Sequence, residues 1–267
     1  MRLVLVGCGN MGFAMLQGWL SEGVLRPSDV SVVEPNATLR ARANDLRAHA
    51  VTSANDLPVD LQPDIILLAV KPQVMADVAP AYARFSNPAF VSVAAGVSTD
   101  KLSQYLGTEA AIARVMPNTP SAVRQGMLIT YFNHAVTNEQ KASVEKLMAV
   151  IGETATIEDE DLMDAVTGVS GSGPAYLFHM IEAMTAAGVQ AGLTEELSAK
   201  LAMQTIYGAA VYAKESAETP EVLRKQVTSP NGTTQAGLEV LMAEGDGLTE
   251  LMTKTVAAAA ERSRKLR

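Results

Sequence analysis

Residues 2–12 read RLVLVGCGNMG, an apolar run that enters three glycines spaced G-x-G-x-x-G. A strand that is apolar on both faces is what the centre of a parallel sheet requires. Gly7 permits a tight turn out of that strand, Gly9 lets backbone approach a pyrophosphate, and Gly12 lets the next helix pack on the strand. The helix start then offers free N–H groups to an anion. Gly7, Cys8, Gly9, Asn10, Met11 and Gly12 are therefore expected to cradle a dinucleotide. Cys8 has no basic neighbour in sequence and reads as a small packed residue rather than a nucleophile.

Outward from this turn, the chain alternates two periods. Helical spacing covers Met11–Ser21, 36–48, 73–85, Thr99–Leu106 and 138–150. Apolar strand-like runs cover 30–34, 64–70, 89–94, 111–116, Gly126–Phe132 and 153–157. Such alternation implies an α/β, Rossmann-like, doubly wound parallel sheet covered by helices on both faces. After the acidic run Glu158-Asp159-Glu160-Asp161, which reads as a solvated helix start, no strand pattern remains. Helices are expected over about 161–169, 174–191, 195–215, 220–227, 234–244 and 247–264, punctuated by Gly192, Pro220 and Pro230. The expected organisation is a dinucleotide-binding domain over 1–157 and an all-α substrate-binding and dimerisation domain over 158–267. Ala183, Ala186, Ala187, Gly188, Ala191 and Gly192 lie along one helix and let neighbours approach closely. Helices this apolar and this few predict a homo-oligomer built from dimers.

Of the 267 residues, 48% are hydrophobic and only 4% aromatic, so aliphatic side chains and Met must fill the core. A net charge of −8 argues against a nucleic-acid partner, and the basic RSRKLR at the C-terminus reads as a solvated tail. One cysteine excludes an intramolecular disulfide and suits a reducing compartment. Three scattered histidines without CxxC or HExxH predict no metal site. The apolar opening is too short for a signal segment or a span, so a cytoplasmic protein with no membrane partner is expected.

Roughly twenty residues beyond the glycines, Glu34 ends the second strand, where an acid typically bonds the adenosine ribose and favours NAD(H). Asn36, Arg40 and Arg42 follow closely and could offset the acid, so NADP(H) stays open. A second anion site is suggested by VTSPNGTT, residues 227–234, where Pro230, Asn231 and Gly232 forbid a continuing helix and hydroxyls crowd the next helix start. Hydroxyl capping is the alternative use of those groups.

AVKP (Ala69–Pro72), SVAAGV (Ser92–Val97), RVMPNTP (Arg114–Pro120), GVSGSGPAY (Gly168–Tyr176) and SPNGTT occur in this order, and with them the chain resembles the pyrroline-5-carboxylate reductases over nearly its whole length. It departs from the family pattern at Asn231, where a second glycine is usual, and at Glu34, where many relatives carry a residue suited to NADP. The resemblance implies NAD(P)H-dependent reduction of the cyclic imine 1-pyrroline-5-carboxylate to L-proline. It implies that Ala69, Val70, Lys71, Pro72, Ala94, Ala95, Gly96 and Asn118 line the nicotinamide side of the cleft, and that Asn55 reaches the adenosine ribose. Ser229, Gly232, Thr233 and Thr234 would hold the substrate, with the Thr234 hydroxyl on the ring nitrogen as the catalytic contact. Pro174 suits the first turn of the long helix that follows, Gly173 would allow it to approach closely, and His179 reads as a packed helix residue.

Two other functions share parts of this pattern. A 3-hydroxyacid dehydrogenase of the 6-phosphogluconate type needs a lysine about one turn into that helix, and Pro174–His179 contains none. A non-catalytic dinucleotide sensor would need only the glycine turn.

Overall fold

The computed structural model describes residues 1–266. Eight strands form one sheet in the order β3-β2-β1-β4-β5-β6-β7-β8. They are β1 (Leu3–Val6), β2 (Val30–Val33), β3 (His49–Val51), β4 (Ile65–Leu68), β5 (Ala89–Ser92), β6 (Ile112–Met116), β7 (Gly126–Phe132) and β8 (Gly152–Thr156). Pairing is parallel from β3 through β6, and β8 runs parallel to β7. Strand β7 is antiparallel to β6, with Met116 opposite Ile129. A parallel crossover needs about a dozen residues or more, and the link from Met116 to Gly126 is too short for one. The sheet is thus parallel-dominated rather than parallel throughout.

Successive residues of the central strands face opposite sides. Leu3, Leu5, Ile65, Leu67, Ala89 and Val91 belong to one core; Val4, Val6, Ile66, Leu68, Phe90 and Ile112 belong to the other. Helix α1 (Asn10–Ser21) buries Met15, Leu16 and Trp19 in the first. The Trp19 indole N–H donates to the Leu147 carbonyl at 2.9 Å and ties α1 to the end of α5 (Asn138–Met148). Helices α2 (Ala37–Asp45) and α4 (Thr99–Leu106) match their expected positions closely.

Three expectations change. The segment expected as one helix over 73–85 is a 3-10 turn at Pro72–Val74, a single turn α3 (Met75–Val78), and another 3-10 turn at Ala79–Tyr82. Pro80 lacks a donor and its ring crowds the preceding turn, so a regular helix cannot pass it. Residues 161–169 are likewise broken into a 3-10 turn, the short α6 (Met163–Val166) and a π turn over Thr167–Gly171. Glu160 is not solvated. Its carboxylate accepts from Arg114 Nη1 at 2.8 Å, the Thr99 N–H at 2.9 Å and the Thr99 hydroxyl at 2.5 Å.

The remaining helices are α7 (Gly173–Gln190), α8 (Glu195–Glu215), α9 (Pro220–Gln226), α10 (Thr233–Leu241) and α11 (Leu248–Arg264). Two compact units result: residues 1–172 with 259–267, and residues 173–258. The first unit therefore includes 158–172 and, among the described residues, 259–266. In the tail expected to be solvated, Arg262, Arg264 and Lys265 are exposed, while the buried Ser263 hydroxyl donates to Asp164 Oδ1 at 2.7 Å; Arg267 lies outside the described residues. The second unit has little apolar core of its own. Ala202 and Leu223 are buried, whereas Phe178, Leu201, Met203, Tyr207 and Tyr212 are exposed. Within it, α7 and α8 pack closely: a Cβ on Gly188 would lie 2.8 Å from the Ser198 hydroxyl. A Cβ on Gly173 would meet nothing within 4 Å.

The Arg114 side chain is only 2% exposed and faces Glu160. Removing one member of such a pair leaves an uncompensated buried charge. Glu160→Ala is expected to lower the unfolding free energy by about 3 kcal/mol in urea denaturation, and Arg114→Met, which removes the charge itself, by distinctly less.

Candidate active site

The glycine turn is built as its sequence requires. Gly7 has φ +91°, its N–H donates to Val33 O at 2.9 Å, and a Cβ there would sit 2.8 Å from Ala69 O. A Cβ on Gly12 would come within 2.3 Å of Gly7 O. Gly9 precedes α1 with no side chain capping the helix, and a Cβ on it would meet no atom within 4 Å. Two glycines are thus closed against the protein while the third faces open space beside free helix amides. Asn10 is exposed and Met11 half-buried at the same helix start. Cys8 is fully buried, and burial with the nearby Glu34 carboxylate pushes its thiol up to about 11, so no thiolate exists at neutral pH.

Beside this turn lies a cavity of about 500 Å³. Gly7, Gly9, Glu34, Ala69, Val70 and Lys71 line it, as does a set unforeseen from sequence: Leu39, Thr52, Ser53, Val74, Asp77 and Tyr82. The short β3 was the missed signal. Its end carries Thr52 and Ser53 to the cavity, but three residues are too few to show a period. Asn55 lies exposed in the adjoining 3-10 turn Ala54–Asp56. Tyr82 is buried, and desolvation pushes its hydroxyl up from the usual range.

Glu34 is 6% exposed. Its Oε2 accepts from the Cys8 N–H at 2.7 Å and its Oε1 from the Asn36 N–H at 2.8 Å. The Asn36 side chain caps α2 by accepting from the Leu39 N–H. Arg40 donates to the carbonyls of Glu34 and Pro35, and Arg42 stacks 3.8 Å over the Phe13 ring.

At the exit of β5, Ala94 and Gly96 are buried and Ala95 is partly exposed. Ala95, Gly96 and Pro72 line a separate cavity of about 350 Å³ with Lys101, Tyr105 and Leu266. Leu266 packs on Gly96, where a Cβ would lie 3.1 Å from the leucine Cβ. Asn118 is engaged on both ends of its amide. Oδ1 accepts from the Met127 N–H at 2.9 Å, and Nδ2 donates to the Ser170 carbonyl at 3.2 Å.

In the other unit, residues 227–232 form the bend between α9 and α10. Asn231 has φ +56°, a left-handed conformation that Asn tolerates better than other side-chain-bearing residues. It can therefore stand where the family pattern has glycine. The Gly232 N–H donates to Ser229 O at 3.0 Å, and a Cβ on Gly232 would lie 2.4 Å from the Ser229 hydroxyl. Gly232 caps α10 with no side-chain hydrogen bond. Capping of α10 therefore does not occupy the crowded hydroxyls, although that of Thr228 donates to the Arg224 carbonyl at 2.6 Å. Ser229, Thr233 and Thr234 are exposed at a helix start whose first amides have no partner within the helix. His179 is not packed, being 81% exposed and 3.0 Å from the Glu182 carboxylate. Helix α7 contains no lysine.

A family model described as pyrroline-5-carboxylate reductase dimerisation matches residues 160–266, and one described as NADP oxidoreductase, coenzyme F420-dependent, matches residues 2–96. A pyrroline-5-carboxylate reductase of Pseudomonas aeruginosa is 38% identical over 99% of this chain and 96% of its own. Among solved structures, a pyrroline-5-carboxylate reductase from Coxiella burnetii superposes with a TM-score of 0.92 at 32% identity, covering 99% of this chain and 98% of that one. A Plasmodium falciparum pyrroline carboxylate reductase with NADP bound superposes with a TM-score of 0.84 at 30% identity, covering 100% and 98%.

The two kinds of glycine in the turn make opposite demands. Gly12→Ala is expected to lower the melting temperature markedly, since its methyl must enter the Gly7 carbonyl. Gly9→Ala should melt like the parent, yet lose most NADH binding in a fluorescence titration, because its methyl occupies the space left for a pyrophosphate.

Proposed function

This chain belongs to the pyrroline-5-carboxylate reductase family, and we propose on that basis that it reduces 1-pyrroline-5-carboxylate to L-proline with NADH or NADPH. The observation that carries the reading is the entrance of α10, left uncapped by any side chain and bordered by the exposed hydroxyls of Ser229, Thr233 and Thr234. The substrate is a small ring with one carboxylate and one imine nitrogen. Free amides at the start of α10 suit the carboxylate. A threonine hydroxyl, able to donate and accept, suits the nitrogen.

The glycine turn fits a dinucleotide, with Gly9 open at the helix amides and Gly7 and Gly12 sealed by backbone. When bound, the reduced nicotinamide supplies the hydride that forms the new C–H bond at the imine carbon. The electron pair of the C=N bond then resides on nitrogen, where a proton must already be present or arrive. The Thr234 hydroxyl orients that nitrogen and relays a proton from solvent. It is a neutral group and no strong acid, so positioning dominates catalysis, and well-aligned reactants gain about 7–11 kcal/mol in this way. The reacting atoms must come within about 3–3.5 Å.

The family's dimerisation domain and the exposed apolar side chains of α7 and α8 support a homo-oligomer assembled from dimers. A cytoplasmic location is supported by the single, reduced cysteine, and among the described residues no helix is long and apolar enough to cross a membrane. The absence of lysine from α7 weighs against the hydroxyacid dehydrogenase reading.

Mixing the protein with NADH or NADPH and 1-pyrroline-5-carboxylate should bleach the reduced nicotinamide absorbance and yield proline in equal amount. Thr234→Ala should lower kcat by about a hundredfold with dinucleotide binding unchanged, and Thr234→Ser should restore most of it. Turnover undiminished in Thr234→Ala would remove that hydroxyl from the mechanism.

A further inference from the structure

We infer that Glu34 selects the dinucleotide, and that it selects the form bearing a free 2′-hydroxyl, so that this chain uses NADH in preference to NADPH. The inference deepens the proposed reduction and rests on it only for the identity of the second substrate. Three observations carry it.

The carboxylate is in the cavity wall and cannot easily leave. Glu34 lines the cavity beside Gly7 and Gly9, is almost fully buried, and holds one backbone N–H on each oxygen. Rotating it away would strand the amide of Cys8, a residue with no solvent exposure. A buried donor without a partner is costly.

Its remaining chemistry matches a ribose. An ionised carboxylate offers about four acceptor sites, of which two are taken by the amides of Cys8 and Asn36. Two sites are left to accept hydroxyl protons from the 2′ and 3′ positions. A 2′-phosphate brings only acceptor oxygens and about −1.5 to −2 charge at neutral pH. Set against a buried carboxylate, it meets repulsion and no donor.

Among the described residues, no arginine or lysine is arranged on the ribose side of this cavity to offset that repulsion. Arg40 directs its guanidinium to the Glu34 and Pro35 carbonyls and does not line the cavity. Arg42 lies over Phe13 and lines a different cavity, with Asn10 and Gln17. Lys71 does line the shared cavity, but it follows β4, which β1 separates from β2. That position suits a pyrophosphate rather than the adenosine ribose. The other charged side chain on the wall, Asp77, adds to the negative field.

The test is a fluorescence titration of the protein with NADH and with NADPH, without imine, followed by kcat/KM for each with 1-pyrroline-5-carboxylate. The unmodified protein should favour NADH at least about tenfold in both measurements. In Glu34→Gln the preference should collapse, chiefly through tighter NADPH binding. Glu34→Asp, which keeps the charge, should retain a preference for NADH. Equal or tighter binding of NADPH by the unmodified protein overturns the inference, and that result needs no variant to fold. A folded Glu34→Gln with an unchanged ratio overturns the role of this residue. Because the titration omits the imine, tight NADH binding without turnover would sink the proposed reaction and leave the selection standing.

Discussion

Between β1 and α1 the chain reverses within a few residues, and the whole nucleotide-binding half is registered to that reversal. Gly7 adopts a positive φ with its α-carbon against the Ala69 carbonyl, while Gly12 brings the first turn of α1 down onto the Gly7 carbonyl. The turn is therefore clamped between strands β1 and β4 on one side and its own helix on the other. The Gly7 N–H bonds Val33 and the Cys8 N–H bonds Glu34, which fixes the end of β2 to the same point. The proposed phosphate seat and ribose wall would then be one mechanical piece. A dinucleotide bound at the amides of α1 would have the position of its adenosine ribose imposed by the protein.

The second unit obeys the opposite logic. Its helices are regular and well separated by breakers, yet few of their apolar side chains are covered. Burial of apolar surface at about 25 cal/mol per Å² is the main favourable term in folding, so helices that leave Phe178, Leu201, Met203 and Tyr207 in water forgo much of it. A dimer that covered the same side chains between copies would return that term. The stability of such a unit is tied to protomer concentration. The close approach of Gly188 to Ser198 shows the small residues acting within one chain, where they bring α7 and α8 together and leave the larger side chains on the outside.

Sequence showed most of the sheet because its central strands are apolar on both faces, a pattern that only full coverage explains. The failures have physical causes. Strand β3 was missed because His49–Val51 is too short to display a period, although it delivers Thr52 and Ser53 to the cavity. Apolar spacing over 73–85 favours a helix, but Pro80 breaks it into short turns. The reversal of β7 was also legible, since too few residues separate it from β6 for a crossover. Glu160 was beyond reach: an acidic run looks solvated until the fold brings Arg114 and Thr99 to one of its members. Asn118 shows a related limit. Its motif marks it as important, while only the fold reveals that both ends of its amide already brace Met127 and Ser170.

Helix starts separate structural from functional use of the same chemistry. Asn36, Ser98, Thr137, Thr194 and Thr219 each accept a backbone N–H at the start of α2, α4, α5, α8 and α9. Helices α1 and α10 instead begin at Gly9 and Gly232, with no side-chain cap. A capping oxygen satisfies one of the orphan amides at a helix start, and in doing so it competes with an external anion for the same donor. Leaving out the cap forgoes about 1 kcal/mol of helix stability and keeps the N-terminal dipole available. Side-chain caps are not universal, since α3 and α6 start uncapped at Val74 and Leu162 and α11 follows Gly247; among the uncapped starts, those of α1 and α10 are the two that a pyrophosphate and a carboxylate would complete in the proposed reaction. Of the hydroxyls at 228–234, that of Thr228 donates to the Arg224 carbonyl at 2.6 Å, whereas those of Ser229, Thr233 and Thr234 would serve the ligand in the proposed reaction, with the anion in the place of the cap.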